Sequence, residues 1–215
     1  MKTHHWKSRA LLFVFVVLFS LSLSATTDQV YSPNRGIRVD IYSVDNTLEA
    51  DIFKGDARLV RNIRLGLTIN GSDFDSFQIT DRQRSRFSDT WSPVWGKQST
   101  VLNEYNRFVL SVKEIGKQNR KMNIIFRVYD DGVALRYEIP EQSSVHDFVI
   151  DKDLTSFTVD GERLFWTPNG ERANIGPVQV SAVKEEFTRK DNFQTPMVFE
   201  SDGPYCLAVH EAATF

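Results

Sequence analysis

The stretch K-M-N-I-I-F-R-V-Y-D-D-G-V-A-L-R-Y-E-I-P, Lys121 to Pro140, constrains the fold more than any other part of the chain. Met122, Ile124, Phe126 and Val128 recur every second residue, with Asn123, Arg127 and Tyr129 between them. A period of two places one set on a buried sheet face and the other toward water. After Asp130-Asp131-Gly132 the alternation resumes with Val133, Leu135, Tyr137 and Ile139, until Pro140 ends it. The segment therefore reads as a β-hairpin closed by an Asp-Gly turn. Shorter alternating runs lie at Ile37–Ile41, Leu48–Phe53, Leu65–Ile69 before Asn70-Gly71, and Phe108–Val112. Another spans Met197–Val209 around Ser201-Asp202-Gly203-Pro204. No dozen-residue segment has helical periodicity, so the expectation is an all-β sandwich.

The chain has 215 residues, 41% of them hydrophobic, including 16 Phe and 4 Trp. That is enough to bury the core of one large domain. Lys2, Lys7 and Arg9 precede an uncharged apolar run from Ala10 to Leu23, and small residues follow at Ser24 and Ala25. This is the pattern of a secretory signal peptide over residues 1–25. The run is short of the ~20 residues that cross a bilayer, so no stable membrane span is expected after cleavage. With no cysteine near the cleavage site, a lipid anchor lacks an attachment point. The mature domain is then residues 26–215, exported to the periplasm or the extracellular space.

Loss of residues 1–25 removes three cations and no anion, leaving 23 Lys+Arg against 28 Asp+Glu, a net charge of −5. Nucleic acid is excluded as a partner on that balance. The one basic cluster, Asp81-Arg82-Gln83-Arg84-Ser85-Arg86, reads as a solvated strand edge. A single cysteine, Cys206, allows no intrachain disulfide, and its neighbours Tyr205 and Leu207 suggest a buried, inert thiol. His146 and His210 with one cysteine do not make a zinc site. The nucleophile elbow, the phosphate-binding loops and the zinc-protease helix motif are missing. Glu141, Asp151, Asp153, Glu185 and Glu186 read as surface acids, and Asp130-Asp131-Gly132 as turn chemistry without the remaining ligands of a calcium loop.

Two stretches stand apart. Asp89–Gly96, D-T-W-S-P-V-W-G, holds Trp91 and Trp95 around a proline in a segment too irregular for a strand. Core packing is the common fate of such aromatics, and a sugar platform or a domain interface the alternative. The terminal V-H-E-A-A sets Glu211 directly after an apolar strand. A carboxylate there is costly unless it is exposed, paired or bound to a cation.

Three blocks, T-W-S-P-V-W-G-K-Q-S-T-V-L-N-E-Y-N-R (Thr90–Arg107), F-R-V-Y-D-D-G-V-A-L-R-Y-E-I-P-E-Q (Phe126–Gln142) and L-A-V-H-E-A-A (Leu207–Ala213), resemble the N-terminal domain of family 97 glycoside hydrolases in order and approximate spacing. The resemblance covers essentially the whole mature chain. It implies a large β-sandwich of the galactose-mutarotase-like kind, followed in the family by a catalytic (β/α)8 barrel. It also implies that Phe215 falls inside the domain, so that the chain is a fragment or truncated product, inactive alone. Family members cleave α-glucosides or α-galactosides with calcium. Their catalytic carboxylates come from the barrel, and the N-terminal domain lends the metal a glutamate, which the resemblance puts at Glu211. An α-linked oligosaccharide and the barrel are then the partners. Trp166–Glu171 departs from the family's tyrosine-rich segment, and no substrate-binding residue is assigned. The alternative is a freestanding secreted carbohydrate-binding or interaction module.

Export is checked by intact-mass analysis of the protein from cells. The expected product begins near Ala25 or Thr26, and exported material that retains Lys2 to Leu23 contradicts the signal-peptide reading.

Overall fold

The computed structural model describes residues 27–116, 118–145, 147–159, 162–183, 194–200 and 204–212. Residues 1–25, expected to be a signal peptide, and His146, Glu185, Glu186 and Ser201-Asp202-Gly203, where a turn is expected, lie outside them. The first strands along the chain are β1 (Asp28–Tyr31), β2 (Ile37–Val44), β3 (Thr47–Lys54), β4 (Ala57–Arg64), β5 (Leu67–Ile69) and β6 (Ser72–Phe74). Two long strands follow, β7 (Phe77–Trp91) and β8 (Val101–Glu114), then β9 (Lys121–Val128) and β10 (Val133–Glu138). The rest are β11 (Ile150–Asp153), β12 (Ser156–Val159), β13 (Leu164–Asn169), β14 (Arg172–Gln179), β15 (Met197–Glu200) and β16 (Cys206–Val209). The expected all-β sandwich is what these strands build.

Sheet β1-β2-β3-β4-β12 packs against sheet β10-β9-β8-β7, and the small sheet β11-β5-β6 closes one end. The fourth sheet runs β14-β13-β15-β16. Alternation decides which side chains enter the core. Met122, Ile124, Phe126 and Val128 of β9 are buried, as are Phe108, Leu110 and Val112 of β8. Val39 and Ile41 of β2 and Leu48 and Ala50 of β3 meet them in the same cluster. Burying each large apolar side chain contributes about 1.5–3 kcal/mol, so this interior dominates stability. The fourth sheet joins through Leu207 against the core and through Phe199, stacked on Phe165 and edge-on to Phe157.

The turns follow their residue chemistry with one exception. Asp45-Asn46 and Asn70-Gly71 both take positive φ and close two-residue hairpins, as Asn, Asp and Gly allow. The predicted β9–β10 hairpin forms, with Val128 opposite Val133. Its loop is four residues long, however, closed by the Tyr129 amide donating to the Gly132 carbonyl at 2.8 Å, and neither Asp131 nor Gly132 has positive φ. The Asp130 carboxylate instead accepts from the Asn34 amide at 2.9 Å.

Strand β7 carries a bulge between Ile79 and Asp81. The extra residue reverses the facing of everything after it. Phe77 and Ile79 belong to the core, but beyond the bulge Arg82 and Arg84 stand opposite Leu110 and Phe108 and so share their inward face. There they reach Asp28 of the edge strand β1, at 2.7 and 3.1 Å. The basic cluster is thus the solvated sheet edge that the sequence indicates, and it clasps the open side of the sandwich.

The largest fully buried side chain is Arg120, just before β9. Its Nε and Nη2 donate to the Glu114 carboxylate at 2.9 and 2.6 Å. Nη1 donates to the Ile69 and Ser72 carbonyls at 3.4 and 3.3 Å, and Nη2 also to the Asp73 carbonyl at 2.7 Å. All five guanidinium hydrogens are thereby used, and the cation lies 4.7 Å from the centre of the Phe74 ring. Removing one partner of a buried pair costs far more than an exposed pair is worth. In urea unfolding, Arg120→Ala is expected to lose about 3–5 kcal/mol, whereas Arg84→Ala loses no more than about 1 kcal/mol. Equal losses in the two variants would contradict this account of the core.

Candidate functional site

Glu211 stands two residues beyond β16, whose pairing with β15 runs from Cys206 opposite Glu200 to Val209 opposite Met197. Leu207 and Val209 turn toward the body of the domain and Cys206 and Ala208 away from it. Cys206 is exposed, contrary to the expected buried thiol. Period two makes this necessary once Leu207 is the residue that packs. His210 and Glu211 are both exposed past the strand end. His210 therefore does not pack into the interior. The Glu211 carboxylate makes no hydrogen bond or ion pair among the described residues, and these hold no group of three or more His, Cys, Asp or Glu fit for a metal. Glu211 thus offers at most two oxygens of the six to eight that calcium takes.

The buried Asp51 and the exposed Asp151 and Asp153 are engaged in hydrogen bonds within the domain. Asp51 accepts from the Tyr42 hydroxyl at 3.0 Å and the Asn62 amide at 2.8 Å, and Arg58 lies 3.4 Å away. Burial, and then the hydrogen bond to Asp51, push the Tyr42 hydroxyl up to about 12, so it remains a donor. Asp151 accepts from the Gly71 amide and Asp153 from the Thr155 amide, at 2.7 and 2.8 Å. Tyr137, raised to about 12 by burial, shares a 2.6 Å hydrogen bond with Thr155 and accepts from the Gly66 amide at 3.1 Å. Each of these three carboxylates thereby holds a structural hydrogen bond.

The second candidate region is the far half of the β7–β8 hairpin. Strand β9 pairs with β8 only as far as Asn106, so Phe87–Trp91 and Val101–Tyr105 continue as a two-stranded ribbon. Core packing, the common fate of the tryptophans here, does not occur. Trp91 ends β7 at 51% exposure, and Trp95 lies in the tip loop at 87%. The ribbon has passed the edge of the opposing sheet, leaving nothing to pack them. Phe108, Leu110 and Val112 face the core, so Tyr105 and its partner Phe87 face the opposite way. Their rings stack with centroids 5.1 Å apart. Tyr129 meets Tyr105 at 5.0 Å, and the Arg127 guanidinium lies 5.0 Å from the Tyr105 ring centre. Sequence reading singled out the tryptophans and missed Phe87, Tyr105 and Tyr129. The available signal was the four-residue step from Phe87 to Trp91, which keeps both on one face of a strand.

Residues 30–215 match the family described as Glycosyl-hydrolase 97 N-terminal. A glycoside hydrolase family 97 enzyme from Pseudoalteromonas sp. strain K8, solved in complex with acarbose, has the same fold, with a TM-score of 0.71 at 23% identity. A variant of it solved in complex with panose aligns equally well. Each match covers 81% of this chain and 27% of that one. A beta-arabinopyranosidase aligns with a TM-score of 0.65 at 18% identity, over 80% of this chain and 29% of that one. The chain thus spans little more than a quarter of the length of these enzymes. The match over most of the chain establishes that it belongs to the glycosyl-hydrolase 97 N-terminal family.

Proposed function

We propose that this domain is the N-terminal module of a secreted, calcium-dependent α-glycosidase acting on α-glucosides or α-galactosides, and that Glu211 is its contribution to a calcium ion shared with a catalytic barrel. The observation that carries this reading is a family member's exposed carboxylate, unpaired among the described residues, placed just past a strand that is registered into the domain. One carboxylate cannot hold calcium by itself. Brought to a barrel that carries further acids, it would join a cluster whose mutual repulsion is relieved by a divalent cation. The ion would supply the positive charge there. The sandwich would fix where the carboxylate sits, and the loss of calcium would loosen the docking of the two domains.

A second reading, a freestanding secreted carbohydrate-binding module, draws support from the aromatic ribbon. The two differ in what the DNA downstream of the Phe215 codon encodes: a barrel favours the enzyme, an unrelated gene the module.

Calcium titration of this chain fused to a complete family 97 barrel tests the ligand role. Glu211→Gln is expected to weaken affinity tenfold or more, about 1.4 kcal/mol, while His210→Gln leaves it within twofold. Unchanged affinity and activity in Glu211→Gln would overturn the assignment.

A further inference from the structure

The β7–β8 ribbon plays no part in the calcium reading. Along its core-distal face the pairs run Trp91 with Val101, Asp89 with Asn103, Phe87 with Tyr105, and Ser85 with Arg107. The aromatic positions are thus separated by an acid and an amide. Phe87 is 41% exposed, while Tyr105, beside it on the paired strand, is buried with Phe87, Tyr129 and Arg127 against its ring. Phe87 is thus backed on one side by a ring that Tyr129 and Arg127 hold in place. Trp91, four residues farther along an extended strand, stands roughly 13 Å from Phe87.

We propose that this face binds an oligosaccharide of at least three α-linked pyranose units, one sugar stacking on Phe87 and another on Trp91, with Asp89 and Asn103 hydrogen-bonding the hydroxyls between. The identity of the sugar rests on the glycosidase reading above, but the geometry does not. A pyranose presents C–H groups on its faces and hydroxyls around its rim. It therefore matches rings alternating with carboxylate and amide groups, where flat apolar contact and polar contact repeat at short intervals. Protein interfaces differ, because their buried centres are depleted of charge, whereas here Asp89, Arg107 and Arg127 lie among the rings. The spacing exceeds the reach of one pyranose, so both rings are engaged only by a chain of sugars. Simultaneous stacking at two points raises affinity over either alone.

The probes are maltotriose, panose and glucose, titrated calorimetrically into the 215-residue chain. Maltotriose or panose is expected to bind at least tenfold more tightly than glucose. Phe87→Ala and Trp91→Ala should each weaken the trisaccharide tenfold or more, and Asp89→Ala severalfold. Trp95→Ala, in the tip loop, should leave it within twofold, and Phe87→Tyr and Trp91→Phe should largely preserve it. Urea midpoints matching the parent show that a variant has lost a ring and not its fold. Chelation of calcium and Glu211→Gln should have no effect, which separates failure of this site from failure of the calcium assignment. The proposal is overturned if the parent binds no trisaccharide. It is overturned equally if Trp95→Ala is as damaging as Trp91→Ala, or if the ribbon instead mediates a concentration-dependent dimer that Trp91→Ala abolishes.

Discussion

The Arg120 guanidinium joins parts of the structure that have little else to hold them. Strands β5 and β6 are three residues each, too short to persist as an independent hairpin in water. Three of their carbonyl groups accept from Arg120, and the charge they surround is balanced by Glu114 at the end of β8. The Glu114 amide in turn donates to the Arg120 carbonyl at 2.8 Å. Side chain and backbone therefore make one crossed tie between the β8–β9 connection and the small sheet. An ion pair of this kind is worth little net energy against a well-packed apolar substitute. Its value is positional, because a buried cation with five donors to satisfy tolerates few arrangements of its neighbours.

The sandwich is unequally supported along its length. Toward β2, β3 and β9, both sheets bury their inward faces and the interior is apolar. Toward the far end of β7 the opposing sheet runs out, and the inward positions pass to arginines held by Asp28. Beyond them the hairpin stands alone. The exposed rings and Glu211 thus occur where the sandwich no longer covers its own surface. A rigid interior with chemistry displaced to ribbon and strand end suits a module that holds groups toward a ligand or a second domain.

Much of this was legible in the sequence. The β9–β10 hairpin was readable because one face is buried throughout, which writes a strict period of two into the residues. The Asn70-Gly71 turn was readable because positive φ needs those residue types. The bulge between Ile79 and Asp81 was not, since one added residue in a polar strand leaves no compositional trace. Arg120 was hidden for a related reason: in a polar connection its letter is that of a surface cation, and only the carbonyls of a hairpin 47 to 51 residues away bury it. Cys206 and the tryptophans were misjudged because composition suggests burial, whereas strand parity and the limits of the opposing sheet decide it. Glu211 stood out as a carboxylate directly after an apolar strand, its metal role came only from resemblance to a family, and it lies exposed past β16.

The central claim is that the apolar interior holds the described residues together, while the ribbon and the segment at Glu211, to which function is ascribed above, contribute little to stability. Native-state hydrogen exchange of the isolated chain tests this most directly. Amides of Phe108–Val112 and Ile124–Phe126 should exchange only through global unfolding. Those of Phe87–Trp91, Val101–Tyr105 and the segment through Glu211 should exchange orders of magnitude faster, and substituting Trp91 or Glu211 should leave the slow set unchanged. Uniform protection across both sets, or a slow set that accelerates in Trp91→Ala or Glu211→Gln, would contradict the account.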